Sequence, residues 1–438
     1  MLPIKRKLRE KKMNLTVFNA KKEVIQGYTS LVAAGVIIPL FCCGVTLPNS
    51  ASAMQTATTE ATLEVTLSAE QDDNVTLSSE IPPDPAKEDD LIFHLIPTLD
   101  VTHFLGDHNL TANLKGDFRK GADIVDGEVN LEAGVGAEFN FAGGLMIGLS
   151  NTYKNEQFDQ GLYAQVGVTD SQTNTYGIKT AYNFGERTSV RAGYSHKWEE
   201  YDDQPVKSVY DTDKVNGRIT IPIATEWQSY LDGQFSTIES DEISIRNNDK
   251  SRAVIGFRWE GPNRFSYWIE GGIGEVDYEN DALEDYSEGV GEIGVEVALS
   301  AWSSLQAAIG QNSYGKFRYE GVFRHNFSDK VELTFGANQD TLSSYSTTSS
   351  DKTYDVTSFR LGLNTTFLNR VEAGLTGSYQ IQDTASSVET LIGRFTLDYP
   401  IQDWIKAGAH YQYATRTADN AGEEYDDNRI GLFVTLSL

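Results

Sequence analysis

The sequence predicts an all-β fold, a transmembrane antiparallel β-barrel of about 20 strands within a range of roughly 16 to 22. Three observations predict it. Segments of roughly ten to fourteen residues alternate apolar and polar side chains from Ala61 to the C-terminus, as strands with one apolar face do. The connections between these segments alternate between tight turns and longer acidic stretches. The chain of 438 residues carries 38 Gly, 21 Tyr and 20 Phe against 2 Cys and 4 Met, and only 39% of it is hydrophobic. With a mean hydropathy of -0.37 this excludes a bundle of membrane-spanning helices. A net charge of -27 excludes a general nucleic-acid binder, which needs a basic footprint.

The first element is a leader, residues 1–53. Lys5, Arg6, Lys7, Arg9, Lys11, Lys12, Lys21 and Lys22 precede an apolar run from about Tyr28 to Leu47, and Ala51-Ser52-Ala53 supplies a small-residue cleavage site. Met13 is an alternative start, and a retained single-span anchor is the competing reading of the apolar run. Cleavage after Ala53 removes both cysteines, Cys42 and Cys43, and takes the charge to about -33, since the leader is basic. A chain without thiols suits passage through an oxidising periplasm. Residues 54–60 form a short segment, and 61–438 the barrel.

Within the barrel the alternation can be read strand by strand. Phe359, Leu361, Leu363 and Phe367 share one face of Val356–Phe367, opposite Ser358, Arg360, Gly362, Asn364 and Thr366. Val371, Ala373, Leu375 and Tyr379 oppose Glu372, Gly374, Thr376 and Ser378. The last strand sets Ile430, Leu432, Val434, Leu436 and Leu438 against Arg429, Gly431, Thr435 and Ser437. Tight turns are expected at Phe141–Gly144, Phe184–Arg187, Glu260–Asn263, Phe327–Lys330 and Phe367–Arg370. Longer outer loops are expected at Asn155–Ser171, Glu199–Asp213, Glu239–Lys250, Tyr278–Glu288, Leu342–Lys352 and Thr415–Asp426. Phe184, Trp227, Trp259, Trp302, Phe367 and Trp404 gather beside the tight turns as an interfacial aromatic girdle would. Pro222 is the proline expected inside a late strand, with Pro205, Pro262 and Pro400 in loops or turns. Counted back from a periplasmic C-terminus, an even number of strands requires Thr62–Leu67 as the first.

The polar face collects cations: Lys179, Arg191, Arg218, Arg252, Arg258, Arg318, Arg324, Arg360, Arg394, Lys406 and Arg429 are the lumen-facing candidates. Glu270, Glu320, Glu332 and Glu372 share that face, so two readings stand. One is a lattice of cross-strand ion pairs that stiffens the wall. The other is a positively biased pore for anionic solutes or an acidic polysaccharide. The acidic runs Glu199–Asp203, Glu239–Glu242, Asp277–Asp281 and Glu423–Asp427 read as solvated outer loops, which divalent cations are expected to tighten. None has EF-hand spacing, and no defined metal site or cofactor is expected. No catalytic residue is assigned and no enzymatic activity is expected: His94, His103, His108, His196, His325 and His410 form no zinc or nucleophile motif, and Ser195 and His196 alternate across a strand.

Three segments resemble the β-barrel porin 2 family and related outer-membrane barrels of exopolysaccharide and exosortase (PEP-CTERM) gene clusters. They are Ala61–Val75 with its Asp72-Asp73-Asn74 turn, Asp90–Leu99, and Tyr425–Leu432. That family usually ends in an aromatic residue, whereas this chain ends in Leu438. The resemblance implies an outer-membrane protein linked to surface polysaccharide, either a porin-like channel or export component, or else a structural or adhesive surface protein without a conducting pore. Its expected partners are outer-membrane lipid, the barrel-assembly machinery, and polysaccharide or anionic solutes, with no nucleic acid.

Overall fold

The computed structural model describes residues 59–75, 89–123, 125, 127–159, 168–185, 187–203, 206–240, 247–280, 285–343, 353–367, 370–383, 387–419 and 424–438. The expected leader and parts of the acidic runs, Asp241, Glu242, Asp281 and Glu423 among them, lie outside these residues.

Twenty strands follow one another: β1 (Thr59–Asp72), β2 (Asp90–Leu105), β3 (His108–Gly121), β4 (Glu128–Phe141), β5 (Leu145–Asp159), β6 (Val168–Asn183), β7 (Ser189–Asp203), β8 (Val206–Pro222), β9 (Trp227–Ser240) and β10 (Asn248–Glu260) form the first half. The second half is β11 (Ser266–Tyr278), β12 (Tyr286–Ala298), β13 (Ser303–Gln311), β14 (Phe317–Ser328), β15 (Val331–Ser343), β16 (Thr353–Phe367), β17 (Val371–Asp383), β18 (Ser387–Gln402), β19 (Ile405–Ala418) and β20 (Tyr425–Ser437). Each strand pairs antiparallel with the next, and β1 also pairs with β20, so the sheet closes with no free edge. The first strand starts at Thr59 and supplies the even count. Its seam with β20 runs from Glu64↔Ser437 to Asp72↔Arg429, and the main chains of Leu63 and Leu438 exchange hydrogen bonds of 3.2 and 2.8 Å at its foot.

The alternation in sequence becomes two faces. Leu231, Ile255, Ile273, Ile293, Ile430 and Leu432 stand exposed on the outer one, where the bilayer takes the place of a core. At the tight-turn end Phe184, Trp302, Phe367 and Trp404 are exposed on the same side, and Trp259 packs on Tyr267 with ring centroids 5.2 Å apart. These aromatics lie at the girdle positions. Turn chemistry fits the connections: Gly106 (φ 65°) makes the two-residue link from β2 to β3, a conformation that a side chain would strain.

Three sequence expectations need correction. Glu199–Asp213 is not a loop: β7 runs to Asp203, β8 begins at Val206, and Glu199 pairs with Tyr210. Thr415–Asp426 is likewise ladder at both ends, with Arg416 opposite Tyr425. Acidic composition signals solvent, but above the membrane a strand can be solvated and still paired. A 13-residue strand such as β10 is about 43 Å long, so even tilted it outreaches an apolar band of about 25 Å. Pro400 lies within β18 and not in a turn; the ladder slips between Pro400 and Gln402, where a missing N–H costs nothing.

Candidate functional site

The pairing register fixes which residues share the inner face, because partners across a ladder point the same way. Lys179, Arg191, Arg218, Arg252, Arg258, Arg318, Arg324, Arg360, Arg394, Lys406 and Arg429 all fall on the face opposite the exposed leucines and isoleucines. They do not form one site. The structure sorts them into an arc where cations are matched by acids and an arc where they are not.

From β8 to β14 the matching is continuous. Arg218 Nε donates to Asp232 at 2.8 Å, and the second oxygen of Asp232 lies 3.7 Å from Arg252. Arg252 in turn bonds Glu270, whose other oxygen accepts the Tyr230 hydroxyl at 2.8 Å. The Arg218 guanidinium stacks 4.7 Å above the Tyr230 ring, which closes the circuit. Arg258 reaches Glu296 at 3.0 Å, and Glu292 accepts from the Trp268 indole at 2.8 Å while pairing with Arg318 at 3.1 Å. Of the four acids expected to take part, only Glu270 does so. Glu320, Glu332 and Glu372 make no ion pair among the described residues, and Asp232, Glu292 and Glu296 serve instead.

Many of these contacts skip a strand, and glycine makes that possible. Tyr230 and Glu270 lie on either side of Gly256, and Glu292 and Arg318 on either side of Gly310. Glu138 and Lys179 meet at 3.5 Å across Gly148, and Glu70 and His410 at 2.5 Å across Gly431. Neighbouring strands are about 4.8 Å apart, so side chains two strands away meet most directly where the intervening residue has none; the long Arg258 side chain instead reaches Glu296 over Ser266, to whose hydroxyl it also donates at 3.0 Å. A Cβ added to Gly256 would fall on the Tyr230 ring.

From β14 to β18 the pattern is different. Arg324, Arg360 and Arg394 are exposed on the inner face and have no carboxylate in ion-pair range among the described residues. Their ladder neighbours are small or neutral: Ser304 and Thr334 flank Arg324, Gly336 and Ser378 flank Arg360, and Thr376 and Gln412 flank Arg394. Arg324 and Arg394 share one ladder row through Thr334, Gly362 and Thr376, and Arg360 stands two residues along β16 from that row. Strand spacing puts Arg360 about 12 Å from each of the other two along the wall. Arg191 is a further exposed cation without an ion pair among the described residues, facing Arg218 in the register. Lys406 and Arg429 return to the matched pattern, with Asp398 at 3.9 Å and Asp427 at 2.7 Å respectively.

Ser195 and His196 take opposite faces, and His196 lies 3.1 Å from Asp213 on the outer side. Sequence reading missed one grouping. Asp72, Asp73 and Asp427 each bring a carboxylate oxygen within 4.8 Å of the others, and no spacing rule finds three ligands that come from opposite ends of a chain.

No family model matches the chain, and no curated protein matches it either. Solved structures do match in shape. The copper transporter OprC superposes with a TM-score of 0.54 at 10% identity, over 88% of this chain and 81% of the transporter. The siderophore receptor PirA from Acinetobacter baumannii gives 0.51 at 9% identity, over 86% of this chain and 80% of the receptor. At these identities the likeness is one of fold. A closed barrel satisfies every backbone group internally and can therefore span lipid, and its apolar exterior fits it to do so. The chain is a twenty-stranded β-barrel of the bacterial outer membrane.

Proposed function

We propose that this protein is an outer-membrane channel for anionic solutes, with acidic surface polysaccharide as the cargo class. The observation that carries the reading is the arc of exposed arginines, Arg324, Arg360 and Arg394, which have no acid beside them among the described residues. A wall cation already matched by a carboxylate contributes little field to a passing ion, whereas an unmatched one attracts anions and repels cations. The flanking Thr334, Thr376, Ser378 and Gln412 add donors and acceptors suited to sugar hydroxyls. The tie to polysaccharide rests on the resemblance of Ala61–Val75, Asp90–Leu99 and Tyr425–Leu432 to exopolysaccharide-associated barrels. Of the two similar solved barrels, one is named a copper transporter and the other a siderophore receptor.

Planar-bilayer recording of the purified full chain tests the reading. A reproducible conductance whose reversal potential in a salt gradient reports anion preference is expected, and acidic oligosaccharide should block it more than neutral oligosaccharide does. Barrels that insert normally yet conduct nothing would instead favour the structural or adhesive surface protein.

A further inference from the structure

At the outer end of the closing seam, β1 and β20 bring together more negative charge than their hydrogen bonds neutralise. Asp72 and Asp427 are 2% and 1% exposed, and Arg429 is the one cation in ion-pair contact with them among the described residues, at 3.1 and 2.7 Å. Arg429 takes one oxygen from each carboxylate. The other oxygen of Asp72 accepts the Asn74 amide at 2.9 Å. The other oxygen of Asp427, Oδ1, is buried and has no hydrogen-bond partner. A buried carboxylate oxygen left unmatched is costly enough that proteins rarely tolerate one. Asp73 stands half-buried beside this pair, its two oxygens held toward Asn428 by bonds of 2.6 and 2.8 Å. The main-chain oxygen of Asp426, which accepts from the fully buried Asn74 at 2.8 Å, lies at the same corner.

We propose that Asp72, Asp73 and Asp427 bind a calcium ion that pins the outer end of the seam between the first and last strands. Three carboxylates less one guanidinium leave a charge of about -2, which a divalent cation offsets. Ligand oxygens within 4.8 Å of one another suit an ion whose oxygen ligands lie at about 2.3–2.6 Å. The irregular origin of the donors, from two strands and a turn, suits calcium better than magnesium, which demands a near-octahedral shell. The ion would supply Asp427 Oδ1 with the partner that it lacks. It would also join residues more than 350 positions apart in the sequence, since Asn428 and Asp73 alone are separated by 355.

The test is calorimetric titration of CaCl₂ into the chelator-stripped full chain in detergent, with the unfolding midpoint read by the mobility shift of heated samples. Saturable binding of one ion per chain is expected, with a dissociation constant of roughly 10⁻⁴ to 10⁻³ M, together with a raised midpoint. Asp427→Asn and Asp73→Asn should each weaken binding by roughly tenfold or more, while Asp277→Asn, an exposed acid on β11, should leave it unchanged. If Asp427→Asn fails to fold, Asp73→Asn decides, because Asp73 lies past the end of β1. No saturable binding, or binding unaltered in Asp73→Asn, would overturn the proposal and leave Asp72 and Asp427 sharing a proton. Equal loss in Asp277→Asn would also overturn it, as diffuse attraction to an acidic rim.

Discussion

The two arcs of the inner wall use the same residue type on the same face, and they differ in what stands across the ladder. From β8 to β14 Arg218, Arg252, Arg258 and Arg318 each have a carboxylate in ion-pair range on a neighbouring strand or the next but one, so charge is spent on holding strands together. Between β14 and β18 the facing positions are Ser, Thr, Gly and Gln, and the arginines keep their field for the lumen. Counting cations therefore says little about a pore. Their function is set by neighbours that only the register reveals.

The sharpest way to separate the arcs is to neutralise each. Replacing Arg324, Arg360 and Arg394 together with Gln should lower the anion-to-cation permeability ratio by roughly tenfold and leave the unfolding midpoint in place. Neutralising a matched pair, Arg218→Gln with Asp232→Asn, should do the reverse, lowering the midpoint with little change in reversal potential. If both variants change selectivity alike, the distinction between the arcs is wrong.

A smaller effect is expected from the glycines. Gly256→Val puts side-chain atoms where the Tyr230 ring lies and should cost up to about 3 kcal/mol of stability in urea titrations. Gly336→Ala in the other arc meets its nearest atoms at 3.8 and 3.9 Å, ordinary contact, and should stay within about 0.5 kcal/mol. Smaller again is the loss of one acid. Glu270→Gln weakens the acceptor of both Arg252 and Tyr230 and should cost about 1–2 kcal/mol, against about 0.5 or less for Glu332→Gln, which sits exposed beside unmatched neighbours. Tyr230→Phe, which removes one hydrogen bond and keeps the ring under Arg218, should cost about 1 kcal/mol by the same titration.

Much of the barrel was legible in the sequence because its grammar is local. Alternation of Ile430, Leu432 and Val434 with Arg429, Gly431 and Thr435 assigns faces without any knowledge of neighbours, and parity alone required a strand at Thr62–Leu67. What could not be read is the partner of each charge. Arg318 meets Glu292 only because Gly310 separates them on a strand between, and that relation depends on two registers at once. The acidic run at Glu199 misled for a related reason: composition reports solvent, and a ladder that rises clear of the membrane is solvated and still regular. The carboxylate corner of Asp72, Asp73 and Asp427 was invisible because closure of the barrel, not proximity in sequence, creates it.

The glycine-spanned contacts also bear on the order in which the wall is built. A side-chain bridge between alternate strands cannot exist when two strands have met; it needs the third, seated between them with its gap in register. Tyr230–Glu270 and Glu292–Arg318 thus form only as three-strand units, each a check that the middle strand has not slipped by one residue, since a slip would put a side chain in the gap. Glu70–His410 is the extreme case, because its three strands are β1, β20 and β19. That contact joins the first part of the barrel to be synthesised to the last, and so it marks the moment at which an open, growing sheet becomes a closed and inserted one.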